Sequence, residues 1–206
     1  MRKVILSMAI ATMFLTVGCA QNSNNKQKEK KEVSMDMDSH DHGDHHHAKS
    51  SEAEERNIEA STQKNEATSG IIDSYLQIKN ALVKDNNDGA AAGGKALLTA
   101  FSKFDMSGLT EDQHKEYMEI LEDAKEQAEH IIKSPIDHQR EHFEVLSTDI
   151  NDLIALVGTD KTLYQDFCPM ANDGNGAIWL SEVKDIKNPF FGSKMLKCGK
   201  VQKQIN

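Results

Sequence analysis

Two short motifs near the C-terminus carry the side chains best suited to metal chemistry: Cys168-Pro169-Met170, and the segment from Met195 to Cys198. Each motif pairs a thiol with a thioether, and soft sulfur donors favour Cu(I) over cations that prefer oxygen. If the motifs meet in the folded chain, they offer four sulfur ligands, or three sulfurs completed by an imidazole. Zinc or another soft divalent cation is the second choice, because structural zinc sites use Cys and His and rarely thioethers.

Histidines on the predicted helices supply the candidate imidazole. His138 and His142 are one helical turn apart and therefore share a face of the fourth predicted helix. We expect His142 to be the metal ligand, since it lies at the rim of the apolar stripe, and His138 is the weaker candidate. His114 and His130 have no sulfur neighbour in sequence, and we interpret them as surface residues.

The same cysteines have a second interpretation. Cys168 and Cys198 could form a disulfide, with Met170 and Met195 as core filler, which is a usual role for methionine. A bridge closing a loop of about 30 residues stabilises a fold by roughly 3 to 4 kcal/mol. Under this interpretation the domain is an interaction module without metal. The methionine beside each cysteine favours the metal site, but spacing does not decide between the two.

The N-terminus indicates the compartment. A basic start is followed by an apolar run from Val4 to Val17 and then by Gly18-Cys19, which is the layout of a secretory signal peptide. The run has about 14 residues, fewer than the ~20 that span a bilayer as a helix. Cys19 after a small residue resembles a bacterial lipoprotein signal. We predict that residues 1–19 are the signal, that Cys19 is lipidated and anchors the chain to a membrane of the cell envelope, and that thiols there can oxidise. The alternative is an ordinary signal peptide that is cut elsewhere, with Cys19 removed or free.

Residues 20–67 form a predicted disordered linker, because most of this stretch is polar and has few large apolar residues to bury. A His- and Met-rich tract inside it indicates weak, accessory metal capture. The alternative is a solvated spacer whose histidines are incidental. The residues of the tract are Met35, Met37, His40, His42, His45, His46 and His47.

Apolar residues recur at helical spacing through most of residues 68–206, the predicted metal-binding domain. The segments run from Ile71 to the turn at Asp85, from about Gly89 to Phe104, from Thr110 to Ile132 and from Pro135 to Val157. Thr110 and Gln113 have the spacing of a capping box, and Ser134-Pro135 is predicted to cap the fourth helix. Four helices joined by short connections predict an up-and-down four-helix bundle.

Gly93 and Gly94 lie inside the second predicted helix, where glycine costs stability. We interpret them as a place where a neighbouring helix packs closely. The alternative is that the helix starts only after Gly94.

Short segments separated by Gly, Asn and Pro follow Gly158. Thr162 to Phe167, Ala177 to Leu180 and Lys194 to Cys198 are the predicted extended segments, and the cluster from Asn172 to Gly176 is a turn. The fold class is therefore mainly α, with a small C-terminal β-hairpin or three-stranded patch that carries the Cys/Met motifs. The single tryptophan, Trp179, is predicted to be a core anchor.

Charge and motif content argue against several functions. The formal net charge is −9, and no basic stripe with interleaved aromatic residues indicates nucleic-acid binding. The sequence has no Gly-x-Ser-x-Gly, P-loop or His-Glu-x-x-His motif. We therefore expect a protein that is not an enzyme.

Several C-terminal motifs together resemble a domain of unknown function, family 3347, found in envelope proteins of Bacteroidota. The resemblance covers about Ile71 to Val201. Members resemble accessory domains of periplasmic adaptors of heavy-metal efflux pumps, which implies copper or a related cation, and an efflux adaptor or metallochaperone as partner. The expected function is a lipoprotein that sequesters or delivers Cu(I). The motifs are Phe167 to Asn172, Gly176 to Ser181, Ile186 to Gly192 and Met195 to Gly199, with His142 to Ser147 upstream.

Overall fold

The computed structural model describes Arg56, Ile58, Ser61 and residues 63–206. The predicted signal peptide, Cys19 and the whole His- and Met-rich tract lie outside these residues. All four predicted helices are present, and each packs on the next along the chain. The four-helix bundle is thus confirmed. Its helices are α1 (Ser69–Val83), α2 (Asn87–Phe101), α3 (Glu111–Lys133) and α4 (Ile136–Val157).

The helix ends largely follow the sequence signals. The predicted capping box is present, since the Gln113 backbone N–H donates to Thr110 Oγ1 at 3.2 Å and the Thr110 N–H donates to Gln113 Oε1 at 3.1 Å. The predicted Ser134 cap is wrong. Ser134 ends α3 by donating its N–H to the His130 carbonyl at 3.0 Å, and Pro135 takes the N-cap position of α4 without a side-chain hydrogen bond.

The glycine pair is a point of close helix packing, as predicted. A Cβ atom on Gly93 would lie 2.7 Å from Cγ1 of Ile78 on α1, and one on Gly94 would lie 2.9 Å from Cγ1 of Ile132 on α3. Because α2 already starts at Asn87, the alternative of a late helix start is wrong. The two missing side chains allow α2 to lie between α1 and α3.

The C-terminal part forms a three-stranded antiparallel sheet in the order β2-β1-β3. Its strands are β1 (Leu163–Cys168), β2 (Ala177–Ser181) and β3 (Lys200–Ile205). The predicted turn at Asn172 joins β1 to β2. The segment from Lys194 to Cys198 is not a strand, because it forms a turn in which the Cys198 N–H donates to the Met195 carbonyl at 3.0 Å.

Trp179 anchors the sheet on the bundle. Its side chain is fully buried and meets Phe190 edge-on, with ring centroids 5.7 Å apart. Phe190 in turn contacts Phe143 on α4 at a centroid distance of 6.0 Å. The prediction that Trp179 is a core residue is confirmed.

Contacts between the N-terminal segment and the bundle begin upstream of residue 68. The guanidinium of Arg56 forms ion pairs with Asp149 at 3.0 Å, with Asp152 at 3.6 Å and with Asp123. The Ser61 N–H donates to the carbonyl of Ala155 at 2.6 Å. Ordered structure therefore reaches into the end of the predicted linker.

Candidate metal centre

The two predicted thiol ligands meet. Cys168 is the last residue of β1, and Cys198 lies two residues before β3, which pairs with β1. Because Phe167 is in register with Lys200, the chain that enters β3 passes the end of β1. The Sγ atoms of the two cysteines, 30 positions apart in sequence, lie 2.9 Å from each other.

Asn188 holds the loop that carries Cys198. Its side chain is fully buried, and its Nδ2 donates to the Cys198 carbonyl at 2.8 Å. Its Oδ1 accepts from the backbone N–H groups of Phe190 and Phe191, at 2.8 and 3.1 Å. The Asn188 N–H also donates to the Leu196 carbonyl at 2.9 Å. The position of the second thiol thus depends on one amide side chain, which the sequence interpretation treated only as part of a loop.

Gly199 allows this loop to approach the sheet. Its φ of +136° lies in a region that L residues with side chains rarely adopt. A Cβ atom there would also lie 2.8 Å from Cη2 of Trp179 and 2.9 Å from the Phe167 carbonyl oxygen. A larger residue after Cys198 would therefore push the thiol away from β1.

The local environment keeps Cys198 protonated. Its contact with Cys168, followed by burial, raises the pKa of the Cys198 thiol to about 11. Reactive catalytic cysteines have lowered pKa values and electropositive surroundings, so this thiol lacks the features of an activated nucleophile. A metal ion that binds here must displace the proton.

The two methionines lie differently from each other. β1 ends at Cys168, and Met170 falls in the following turn, where its side chain is 56% exposed. Met170 therefore does not continue the buried strand face of Cys168, as an extended segment would have required. Met195 is partly buried and begins the turn that ends at Cys198. Met195 is thus tied to the thiol pair through this turn, while Met170 is open to solvent.

His142 faces the third helix. Its Nδ1 lies 2.9 Å from Oε1 of Gln127, and its ring stacks on that of His130 at a centroid distance of 4.4 Å. His138 is exposed and pairs with Glu141 at 3.1 Å. Among the described residues, neither His138 nor His142 contacts Cys168 or Cys198. The proximity of His130 to His142 was missed, because sequence spacing does not say which face of α3 meets α4.

In the described part of the chain, no group of three or more His, Cys, Asp or Glu side chains is placed to hold a metal ion as it stands. The residues that do converge are the two cysteines, with Met195 in the adjoining turn. Cys19 and the accessory tract cannot be placed, since they lie outside the described residues.

A cavity of about 790 Å³ opens between α4 and the β1–β2 connection, which follows Cys168. Met170 lines it together with acidic residues that include Glu141, Glu144 and Asp173. Burial, with the nearby charges of Asp173 and Glu141, raises the pKa of Glu144 to about 7. The cavity lining thus combines the Met170 thioether with four carboxyl groups and with two basic side chains, Arg140 and Lys194.

One comparison with known proteins gives a match, and this match covers the helical part of the chain. No described helix is both long and apolar enough to cross a membrane. No curated protein and no solved structure matches the chain. The model of a family described as "Protein of unknown function (DUF3347)" matches residues 71–162. The match supports the resemblance over the four helices, including His142, and ends one residue before the strand that carries Cys168.

Proposed function

We propose that this protein is an envelope lipoprotein that binds Cu(I) through Cys168 and Cys198, for sequestration or for delivery to a metal-efflux system. The observation that carries the proposal is the 2.9 Å approach of the two Sγ atoms. This approach joins two sequence motifs that each contain soft sulfur donors. It also creates a pair of ligands without requiring a large rearrangement of the fold.

The number of ligands favours Cu(I) over Zn²⁺. Structural zinc sites are almost always four-coordinate, with Cys and His ligands, and no third His, Cys, Asp or Glu joins the cysteines in the described residues. Cu(I) prefers thiolate and thioether donors and accepts two or three of them. Met195, which shares a turn with Cys198, is the candidate third donor.

Binding at this site is an exchange of protons for metal. Two thiols lose their protons, two Cu–S bonds form, and the oxidation state of the metal does not change. Cys168 is buried, whereas Cys198 is only partly covered, so the ion enters from the side of Cys198. The cavity lined by Met170 opens beside the turn that follows Cys168, where the thioether offers a soft donor to an approaching Cu(I) ion.

The envelope location and the partner rest on sequence. The N-terminal pattern supports a lipid anchor at Cys19. The His- and Met-rich tract supports an accessory role in collecting ions. The family resemblance supports a heavy-metal efflux adaptor or metallochaperone as the partner.

An anaerobic Cu(I) titration of the reduced full chain against a competing chelator tests the proposal. We expect Cys168→Ser to lose the tightest site and Met195→Leu to weaken it. Met118→Leu, at an exposed position on α3, is the matched control and should bind as the unmodified chain does. Equal affinity in Cys168→Ser and in the unmodified chain would refute a copper site at this position.

The same Sγ–Sγ approach supports a second candidate, an interaction module stabilised by a Cys168–Cys198 disulfide. The mass of the unreduced protein distinguishes the two, because a bridge removes two hydrogen atoms. An intact bridge in the isolated protein, combined with no Cu(I) binding after reduction, would favour the interaction module.

A further inference from the structure

His130 and His142 form a stacked pair between α3 and α4. Their ring planes differ by 13°, and their centroids are 4.4 Å apart. His130 is about half exposed, whereas His142 is partly buried against α3. The pair therefore has one side toward the helices and another open to solvent, where an ion could enter.

Gln127 fixes the orientation of the His142 ring. Its Oε1 atom can only accept a hydrogen bond, so the Nδ1–H of His142 donates to it across 2.9 Å. The proton on Nδ1 leaves Nε2 with a free lone pair. Metal-binding histidines are commonly oriented in this way, with one ring nitrogen donating to a fixed acceptor and the other binding the metal.

The electrostatic surroundings suit a cation as well. Burial, followed by the neighbouring His130, lowers the pKa of His142, which favours the neutral ring that binds metals. Glu126, one turn before His130 on the same helix face, has Oε1 3.8 Å from His130 Nε2. On α4, Glu141 also lies near His142 and is paired with His138. Two carboxylates therefore flank the two imidazoles.

We propose that His130 and His142 hold a divalent cation that prefers imidazole, such as Zn²⁺ or Cu²⁺, with Glu126 or water completing the coordination. Two His and one carboxylate are a set that both ions accept. The present arrangement is not yet a closed site, since no three such side chains are placed for a metal. The lone pairs of two stacked imidazoles lie in nearly parallel planes and do not converge, so binding requires the His130 ring to rotate out of the stack. The side chains of His130 and Glu126 are 44% and 63% exposed, so both can turn toward the ion without disturbing the core.

This site goes beyond the proposed copper function. Its donors are nitrogen and oxygen rather than sulfur, it lies between two helices rather than at the sheet, and it selects divalent ions rather than Cu(I). It also gives His142 a different role from the one that sequence spacing suggested, because the imidazole partners a second histidine instead of the cysteines.

The test uses the full chain with competing ligands removed. Cys168→Ser, Cys198→Ser and Asn substitutions of the five tract histidines leave His114, His130, His138 and His142. Zn²⁺ alone is titrated into this protein against a chromophoric chelator. We expect one bound Zn²⁺, and His130→Asn should weaken it by at least about 10-fold. His138→Asn and His114→Asn are matched controls and should leave the affinity unchanged.

Ring-nitrogen NMR gives a second measurement that does not depend on a destabilising variant. Zn²⁺ should shift the Nε2 resonance of His142 while Nδ1 stays protonated. Gln127→Met should weaken binding by about 10- to 100-fold through loss of ring orientation. No Zn²⁺ binding, or an equal loss in His130→Asn and His138→Asn, would overturn this site. Neither outcome bears on the proposed Cu(I) site, because Cys168 and Cys198 are both absent from the test protein.

Discussion

Helix α1 contacts two different kinds of surface. Toward α2 it presents Ile78, which fits into the space left by Gly93, and the contact is apolar and close. Toward the sheet it presents Lys79, fully buried, with Nζ 2.7 Å from Glu182. The sheet itself contributes Asp166, a fully buried carboxylate for which the described residues provide no hydrogen-bond partner.

The two contacts of α1 therefore contribute differently to the stability of the fold. Apolar burial contributes about 1.5–3 kcal/mol for each large side chain, and the contact of α1 with α2 depends on it. An unsatisfied buried polar group costs about 1–3 kcal/mol, and the contact between α1 and the sheet contains such groups. The sheet is also where the two thiols meet, so the proposed chemistry lies in the region that contains the unsatisfied Asp166 carboxylate.

Replacing Trp179 should have the largest effect on the sheet. Trp179→Ala removes a fully buried indole and should lower the free energy of unfolding by about 3–5 kcal/mol. Urea unfolding followed by circular dichroism measures this loss. Val183→Ala, at an exposed position just after β2, is the control. An unchanged helical transition in Trp179→Ala would mean that bundle and sheet unfold independently.

Removing Arg56 should also lower the free energy of unfolding, by a smaller amount, because Arg56 neutralises a buried cluster of aspartates in the bundle. Arg56→Ala leaves the Asp149 carboxylate, 1% exposed, without its cation, and should cost about 3 kcal/mol at pH 8. Burial raises the pKa of Asp149 to about 7, so protonation should relieve much of this cost at pH 5. Lys133→Ala, which breaks an exposed pair with Glu129, should change little. An equal loss at pH 5 and pH 8 would contradict the electrostatic explanation.

Filling the space at Gly93 tests the apolar contact of α1 with α2. Gly93→Ala places a methyl group against Ile78 and should destabilise the fold by about 1–3 kcal/mol, in spite of the better helix propensity of alanine. Gly108→Ala, where a Cβ would meet no atom within 4 Å, is the matched control. Thermal unfolding of the two variants gives the comparison, and a stabilised Gly93→Ala would show that the helices can separate without cost.

Neutralising Asp166 should change the free energy of unfolding least. It should raise this free energy, whereas the other substitutions lower it. Burial raises the pKa of Asp166 to about 7 in the folded protein, from 3.8. The folded state therefore binds a proton more tightly, and stability falls as pH rises from about 4 to about 7. In the metal-free protein, Asp166→Asn should reduce this slope, to which Asp149 and Glu144 also contribute, and should be about 1–2 kcal/mol more stable than the unmodified chain at pH 8, but not at pH 4. Urea unfolding across this pH range measures how the free energy of unfolding depends on pH. An unchanged slope would mean that groups other than Asp166 cause it.

Local patterns predicted the helices well and the sheet only in part. Helical periodicity located α1 to α4, and the capping residues of α3 and the glycine pair behaved as expected. The segment from Lys194 to Cys198 is a turn and not the predicted strand, because short segments between glycines give only a weak signal. Its turn depends on Asn188, whose hydrogen bonds are made with residues on both sides of the turn and cannot be seen in a residue pattern.

The candidate site, too, could be predicted only where local sequence features reveal it. The sequence singles out both thiols as candidates, because their residue type and neighbours are distinctive. It did not reveal the stacking of His130 on His142, or the pairing of Arg56 with an aspartate 93 positions away. Such contacts depend on which helix faces meet, and that is decided by the packing of the whole bundle rather than by local spacing.

The sheet order also bears on self-association. β3 lies at one edge, where its outer backbone groups could pair with a strand of another copy. Lys200 and Lys203 are exposed on this strand, and lysines on an edge strand oppose such pairing, because two like-charged edges repel each other. A high local concentration of this domain should therefore not lead to sheets that extend from one molecule to the next.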